Sequence, residues 1–427
     1  MRAGWQSAVL SEVVPKAEYG ISSSLDDERG TPVLRMNNLG EGSVDVSDLK
    51  YSASPECEQL LLKPNDVLFN RTNSIEHVGR TSLWRTELER ATFASYLVRL
   101  VPDPSRLDAE YLVRWLNLPA TQLAIRHFAT PGVHQVNINP SNLRRVNITF
   151  PVEISEQRRI NQVLSAVDEA IKQTEALVAK LQQIKAGLMH DLFTRGVTPD
   201  GRLRPRQKDA PNLYRESAVG WIPREWEAKG LGALSEIVSG ITLGFKGAIP
   251  GAIEVYYLRV ANVQDGYFDL SDVKTIAVTP DQLERLALKA GDVLMNEGGD
   301  FDKLGRGSVW EEQIIPCIHQ NHVFRVRPKP GHLRSLFLAF WSQSEAGKRY
   351  FVLSSKQSTN LASINSTQLH RFPAALPPLD EQERIERKIS ATNASIDMEA
   401  KSIAKLRQLK HGLMQDLLTG KVKVAVT

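Results

Sequence analysis

IKAGLMHDLFTRGV (Ile184–Val197) and LKHGLMQDLLTGKV (Leu409–Val422) are nearly the same fourteen residues, written twice and 225 positions apart. The likeness runs far upstream of these stretches. EQRRI (Glu156–Ile160) answers EQERI (Glu381–Ile385), and INPSNLRR (Ile138–Arg145) answers INSTQLHR (Ile364–Arg371). LRMNN (Leu34–Asn38) answers LRVAN (Leu258–Asn262), and SDLK (Ser47–Lys50) answers SDVK (Ser271–Lys274). NDVLFN (Asn65–Asn70) answers GDVLMN (Gly291–Asn296), and GRTSLW (Gly79–Trp84) answers GRGSVW (Gly305–Trp310). The order is A–B–A′–B′, a long segment followed by a short one, twice. Two copies at so long a period are not a solenoid; they predict two similar bodies about a pseudo-two-fold axis.

The B segments read as long helices. Ile160, Leu164, Val167, Ile171, Val178, Leu181, Leu188 and Leu192 recur at steps of three and four, with Thr174 and Lys185 filling the seam. In the second copy the seam is Ile385, Ile389, Ile396, Ile403, Leu406, Leu413 and Leu417, interrupted by Thr392, Glu399 and Lys410. That is the a/d spacing of a coiled coil. Asp380 and Glu383 stand at capping-box spacing after two prolines, and Gly196 and Gly420 follow the last seam residues. At about 1.5 Å per residue such helices reach roughly 60 Å, and a dyad across them would make them antiparallel.

The A segments read as short strands broken by turns, including SYLVRLV (Ser95–Val101) and HVFRVR (His322–Arg327). One helix per copy is expected, near residues 108–117 and 334–343, and no βαβ alternation is present. The fold class is therefore α+β: two globular domains separated by two long antiparallel coiled-coil helices, in a pseudo-two-fold internal repeat. The expected boundaries are residues 1–150 and 220–376 for the domains, 151–197 and 377–427 for the helices with the C-terminal tail, and 198–219 for a linker.

A net charge of +4 over 427 residues excludes little; distribution says more. Residues 111–150 and 346–379 contain no acidic side chain, yet carry Arg114, Arg126, Arg144, Arg145, Lys348, Arg349, Lys356 and Arg371. Within them lie the polar loops TPGVHQVNIN (Thr130–Asn139) and SSKQSTNLASIN (Ser354–Asn365). Amide, hydroxyl and basic side chains are what phosphate and base-edge contacts need. Two cysteines, no run of eighteen apolar residues and no evident secretory signal point to a cytoplasmic protein.

Concentrated chemistry is missing. No Walker A pattern or glycine-rich cofactor loop occurs. NPSN (Asn139–Asn142) falls short of the tetrad that grips a target amine in amino-methyltransferases. CIHQNH (Cys317–His322) has no second pair of metal ligands, and its first-copy counterpart, ATFASY, has none at all. EWEAK holds a Glu-x-Lys that nuclease sites share with many other proteins. Trp84 and Trp310 are expected in the core.

These residues resemble the specificity subunits of type I restriction–modification systems over essentially the whole length. The resemblance rests on the helix openings FPVEISEQRRI (Phe150–Ile160) and LPPLDEQERI (Leu376–Ile385), the Gly-Leu-Met-x-Asp-Leu helix ends, and VGWIPREWE (Val219–Glu227). Val152-Glu153-Ile154 departs from the usual Pro-Pro-Leu form. The resemblance implies a DNA-recognition subunit that is not itself an enzyme. Each A segment would be a target recognition domain reading half of an asymmetric bipartite site in double-stranded DNA, and the helices would set the spacing. Two modification subunits would dock on the helices and bring S-adenosylmethionine; a restriction subunit using ATP and Mg can join such assemblies. This chain would bind no cofactor or metal of its own. DNA contacts are expected from Arg71, Arg80, His134, Gln135, Asn137 and Arg144 in the first domain, and from Asn296, Arg306, Lys356, Gln357, Thr359 and Asn360 in the second. The competing reading is a coiled-coil scaffold with no DNA role.

Overall fold

The computed structural model describes residues 2–26, 28–132, 135–244, 251–299, 304–305, 307–357 and 362–424. The chain forms two compact units, one of residues 1–176 with 400–427 and the other of residues 177–399. Each takes one half of each long helix.

In the first unit an antiparallel four-stranded sheet runs in the order Lys16–Tyr19, Leu97–Val101, Val67–Asn70, Thr81–Leu83. VLFN is buried at all four positions, the pattern of a strand covered on both faces. A three-stranded sheet joins Lys50–Ser52, Thr31–Leu34 and Thr92–Phe93, the last two parallel. A small sheet joins Ala129–Pro131, Val136–Ile138 and Thr72–Asn73, and Trp5–Val9 pairs with Asn147–Pro151.

The second unit repeats these four sheets. The four-stranded one is Ser235–Ser239, Val323–Pro328, Val293–Asn296, Gly307–Val309. Lys274–Val278, Ile253–Leu258 and Cys317–His319 form the three-stranded sheet, again with one parallel pair. Gly298–Gly299, Ala362–Ser363 and Lys356–Gln357 form the small sheet, and Glu227–Gly230 pairs with Pro373–Leu376. Gly20 and Gly240 hold equivalent places: a Cβ at either would strike the carbonyl oxygen of Phe93 or of His319.

The shared motifs are mostly framework. Asn38 accepts from Arg35 N and donates to the carbonyls of Asp45 and Asp48; Asn262 does the same with Arg259, Asp269 and Asp272. The glutamine of each EQ pair is fully buried. Gln157 accepts from Asp108 N and donates to Arg106 O and Pro151 O, and Gln382 repeats this with Arg334 N, His332 O and Pro377 O. Each thereby ties a long helix to the N-terminus of a domain helix, Ala109–Leu116 or Ser335–Gln343. A second helix follows each, Pro119–Arg126 and Glu345–Ser354, beyond the one per copy expected. Trp84 and Trp310 lie in the core.

The long helices span Ile154–Arg195 and Leu379–Leu418. Ile160, Leu164, Leu192, Ile385, Ile389 and Leu417 are buried. Val167, Ile171, Val178, Leu181, Leu188, Ile396, Ile403, Leu406 and Leu413 are half-buried. Within the first unit Glu175 pairs with Arg407 and Asp168 with Lys410, so the helix segments there run antiparallel. Seam lysine Lys410 thus meets an acid. Burial holds the other, Lys185, below the usual lysine range, against the pull of Asp265 and Asp397. Gly196 and Gly420 take positive φ just past the helix ends, as C-terminal caps do. Asp380 and Glu383 do not form a capping box; each carboxylate pairs with an arginine one turn on, Arg384 and Arg387.

The polar segment after the first long helix, expected as a linker, is mostly exposed but is pinned at two buried residues, Arg204 and Tyr214. Arg204 is buried and makes a bidentate pair with buried Glu381, at 2.5 and 3.0 Å. Glu381 also accepts from Val197 N and the Trp226 indole. Four donors satisfy the buried carboxylate, which makes its burial tolerable. Tyr214–Ser217 and Gly220–Pro223 then form a hairpin.

Candidate nucleic-acid interface

In the first unit Arg71 is the single residue between the central strand Val67–Asn70 and Thr72–Asn73 of the small sheet. Its backbone is held on both sides, N–H to Tyr96 O and carbonyl from Ile138 N. Its guanidinium donates to Asn137 Oδ1 at 2.9 Å and lies 5.1 Å from the Tyr19 ring centroid. Tyr19 and Tyr96 are each 48% exposed. The result is a donor fork, an amide and two aromatic faces on rigid strands, a surface suited to base edges and phosphates.

Around it Arg80 is half-buried in the turn that returns to Asn70, and Gln135 is exposed beside the small sheet. Arg144 donates to the Pro15 carbonyl, so its guanidinium is engaged in tying down a strand start. Asn139 of NPSN caps a helical turn through Ser141 N.

In the second unit Asn296 is buried and donates to the Val263 carbonyl, which withdraws it from any surface contact. It was expected among the DNA contacts, but both faces of its strand are covered, so its side chain does not reach the surface. Lys356 and Gln357 lie in the small sheet, paired with Ser363 and Ala362; their side chains are outside the described set. His134, Arg306, Thr359 and Asn360 also lie outside the described residues.

The place equivalent to Arg71 is held by Glu297, between Val293–Asn296 and Gly298–Gly299. Its backbone bonds match: N–H to His322 O, carbonyl from Ile364 N. Its carboxylate meets His322 Nδ1 at 2.6 Å. Matching bond for bond sets Glu297, His322, Ser239 and Ser363 against Arg71, Tyr96, Tyr19 and Asn137. A search for basic and amide residues misses Glu297, although the 226-residue offset of the surrounding strands points to it.

CIHQNH divides between core and surface. His319 is buried, with Nδ1 at the Val323 carbonyl, whereas His322 is exposed. Among the described residues no group of three His, Cys, Asp or Glu could hold a metal ion. EWEAK is spent on structure too: Trp226 is core and Glu227 pairs with Lys229.

The family model for the type I restriction modification DNA specificity domain matches residues 3–184 and again 223–408. The chain belongs to that family. It is a DNA specificity subunit with two target recognition domains, a class in which recognition, not catalysis, is the subunit's part. The StySPI specificity subunit of Salmonella potsdam is 23% identical over 97% of this chain and 88% of its own. A chain from a structure of the type I R-M system superposes with a TM-score of 0.59 at 16% identity, covering 98% of both chains. The S subunit from M. genitalium gives 0.55 at 14%, covering 99% of this chain and 97% of that one. A scaffold with no DNA role is set aside. No helix among the described residues is long and apolar enough to cross a membrane.

Proposed function

We propose that this specificity subunit reads an asymmetric bipartite site in double-stranded DNA, one half per domain, and docks two modification subunits on its helices. The supporting observation is the duplicated framework: strands, glutamine clamps and helix ends repeat, whereas the side chains around Arg71 and Glu297 do not. Equal scaffolds with unequal reading surfaces suit unequal half-sites.

The repeated fourteen residues suit the docking role. Ile184 is 50% exposed and Leu409 51%, at matching places on the two helices. One turn on, a Cβ at Gly187 or Gly412 would meet nothing. Each helix therefore offers an exposed apolar residue beside an open glycine, set among polar side chains such as Lys180 and Gln183 or Lys405 and Gln408, and two equivalent places fit two copies of one partner. Methylation, with S-adenosylmethionine, would lie in those partners, and ATP and Mg in a restriction subunit. The cytoplasm is the compartment this reading requires.

Duplex binding by the full chain, measured across a salt series, tests the DNA half of the reading. Affinity for a selected duplex should fall steeply with salt and exceed that for scrambled duplex. Equal binding of both sequences would overturn it.

A further inference from the structure

Arg71 and Glu297 occupy one position in a duplicated fold, and their chemistry is opposite. Both link an inner strand of the four-stranded sheet to the small sheet, and both donate N–H to the carbonyl of the residue before the neighbouring long strand. Both accept at the end of the small sheet's middle strand, from Ile138 N or Ile364 N. Arg71 and Glu297 are both half-buried, and His322 beside Glu297 is 56% exposed. Arginine offers donors to the acceptor edge of guanine, while a carboxylate can only accept, and accepts from the exocyclic amine of a base. A carboxylate at a DNA surface is repelled by phosphate, so its useful partner there is a base amine rather than the backbone. Contact with His322 Nδ1 at 2.6 Å fixes the carboxylate's direction, as Asn137 fixes that of Arg71.

We infer that Glu297, oriented by His322, is the base-selecting residue of the second domain at the position Arg71 holds in the first. It takes the exocyclic amine of a cytosine or an adenine where Arg71 takes a guanine. The inference rests on the reading of each domain as the reader of one half-site.

The test is selection by the full chain from a pool of randomised duplexes, followed by sequencing. The parent chain should enrich two unequal half-motifs across a gap. Glu297→Ala should relax preference at one base pair of one half by about tenfold, within the roughly 5- to 150-fold range of a good base contact. Glu297→Arg should move that base pair toward guanine. Loss of a cytosine there identifies the N4 amine, and loss of an adenine the N6 amine. Unchanged motifs in both variants would overturn the assignment, as would equal weakening at every position. A parent that enriches no motif would instead sink the half-site reading itself, an outcome distinct from an intact motif indifferent to residue 297.

Discussion

Gln382→Ala strikes one of two equivalent clamps and leaves its twin as an internal control. The parent side chain is fully buried and makes three hydrogen bonds of 2.9 Å, from Arg334 N and to His332 O and Pro377 O. At about 0.5–1.5 kcal/mol net for each bond, their loss costs about 3 kcal/mol. Removing buried side-chain carbon adds about 0.8 kcal/mol. With a urea m-value of about 3 kcal/mol/M, the midpoint of the second unit should fall by about 1 M. Gln157→Ala should do the same to the first unit, whose clamp distances are 2.8–2.9 Å. Hydrogen exchange read by mass spectrometry separates the two: opening should quicken around Arg334–Leu338 in one variant and around Asp108–Leu112 in the other. A loss below about 0.5 kcal/mol in both variants would refute the argument that these glutamines clamp helix to domain. So would both substitutions loosening the same unit.

His319 titrates against stability. Burial disfavours its charged ring and takes its pKa down to about 4 from 6.5, opposed by the Val323 carbonyl. Between those values the unfolded chain binds a proton that the folded one lacks, so this stabilisation is complete above pH 6.5 and is lost as pH falls through 4, by about 3 kcal/mol. His319→Phe, copying the buried Phe93 at the same place in the first unit, should flatten that slope; an unchanged slope in denaturant titrations would contradict it. Ile184→Asp and Leu409→Asp should each remove one modification subunit, seen as a 1:1 assembly by mass photometry, whereas two bound copies in both variants would discard the docking faces. Arg71→Ala should relax one base pair of the other half-site by about tenfold in duplex selection, and uniform weakening would make Arg71 a phosphate contact instead.

Architecture was legible because repetition and seam spacing are long-range signals that survive local noise. The clamps were visible only as motif text: EQRRI and EQERI stood out, yet nothing local says that the glutamine is buried and the neighbouring glutamate holds a tryptophan. Pro119–Arg126 and Glu345–Ser354 escaped because short helices between polar loops carry weak periodicity. Residues 198–219 looked like a linker since Arg204 is a surface residue by type; its burial depends on Glu381, far along the chain. Asn296 misled in the opposite direction, a polar residue hidden by tertiary packing. Glu297 was missed because a search for positive charge rejects a carboxylate, although reading bases calls for acceptors as well as donors.

Two unlike domains on one duplicated frame should read two unlike half-sites for a methylating partner. Genome-wide mapping of methylated adenines, in the source strain with and without this gene, tests it most directly. Without the gene, one gapped motif whose two halves differ in sequence should be lost. An unchanged methylome, or the loss of a single uninterrupted palindrome, would contradict it.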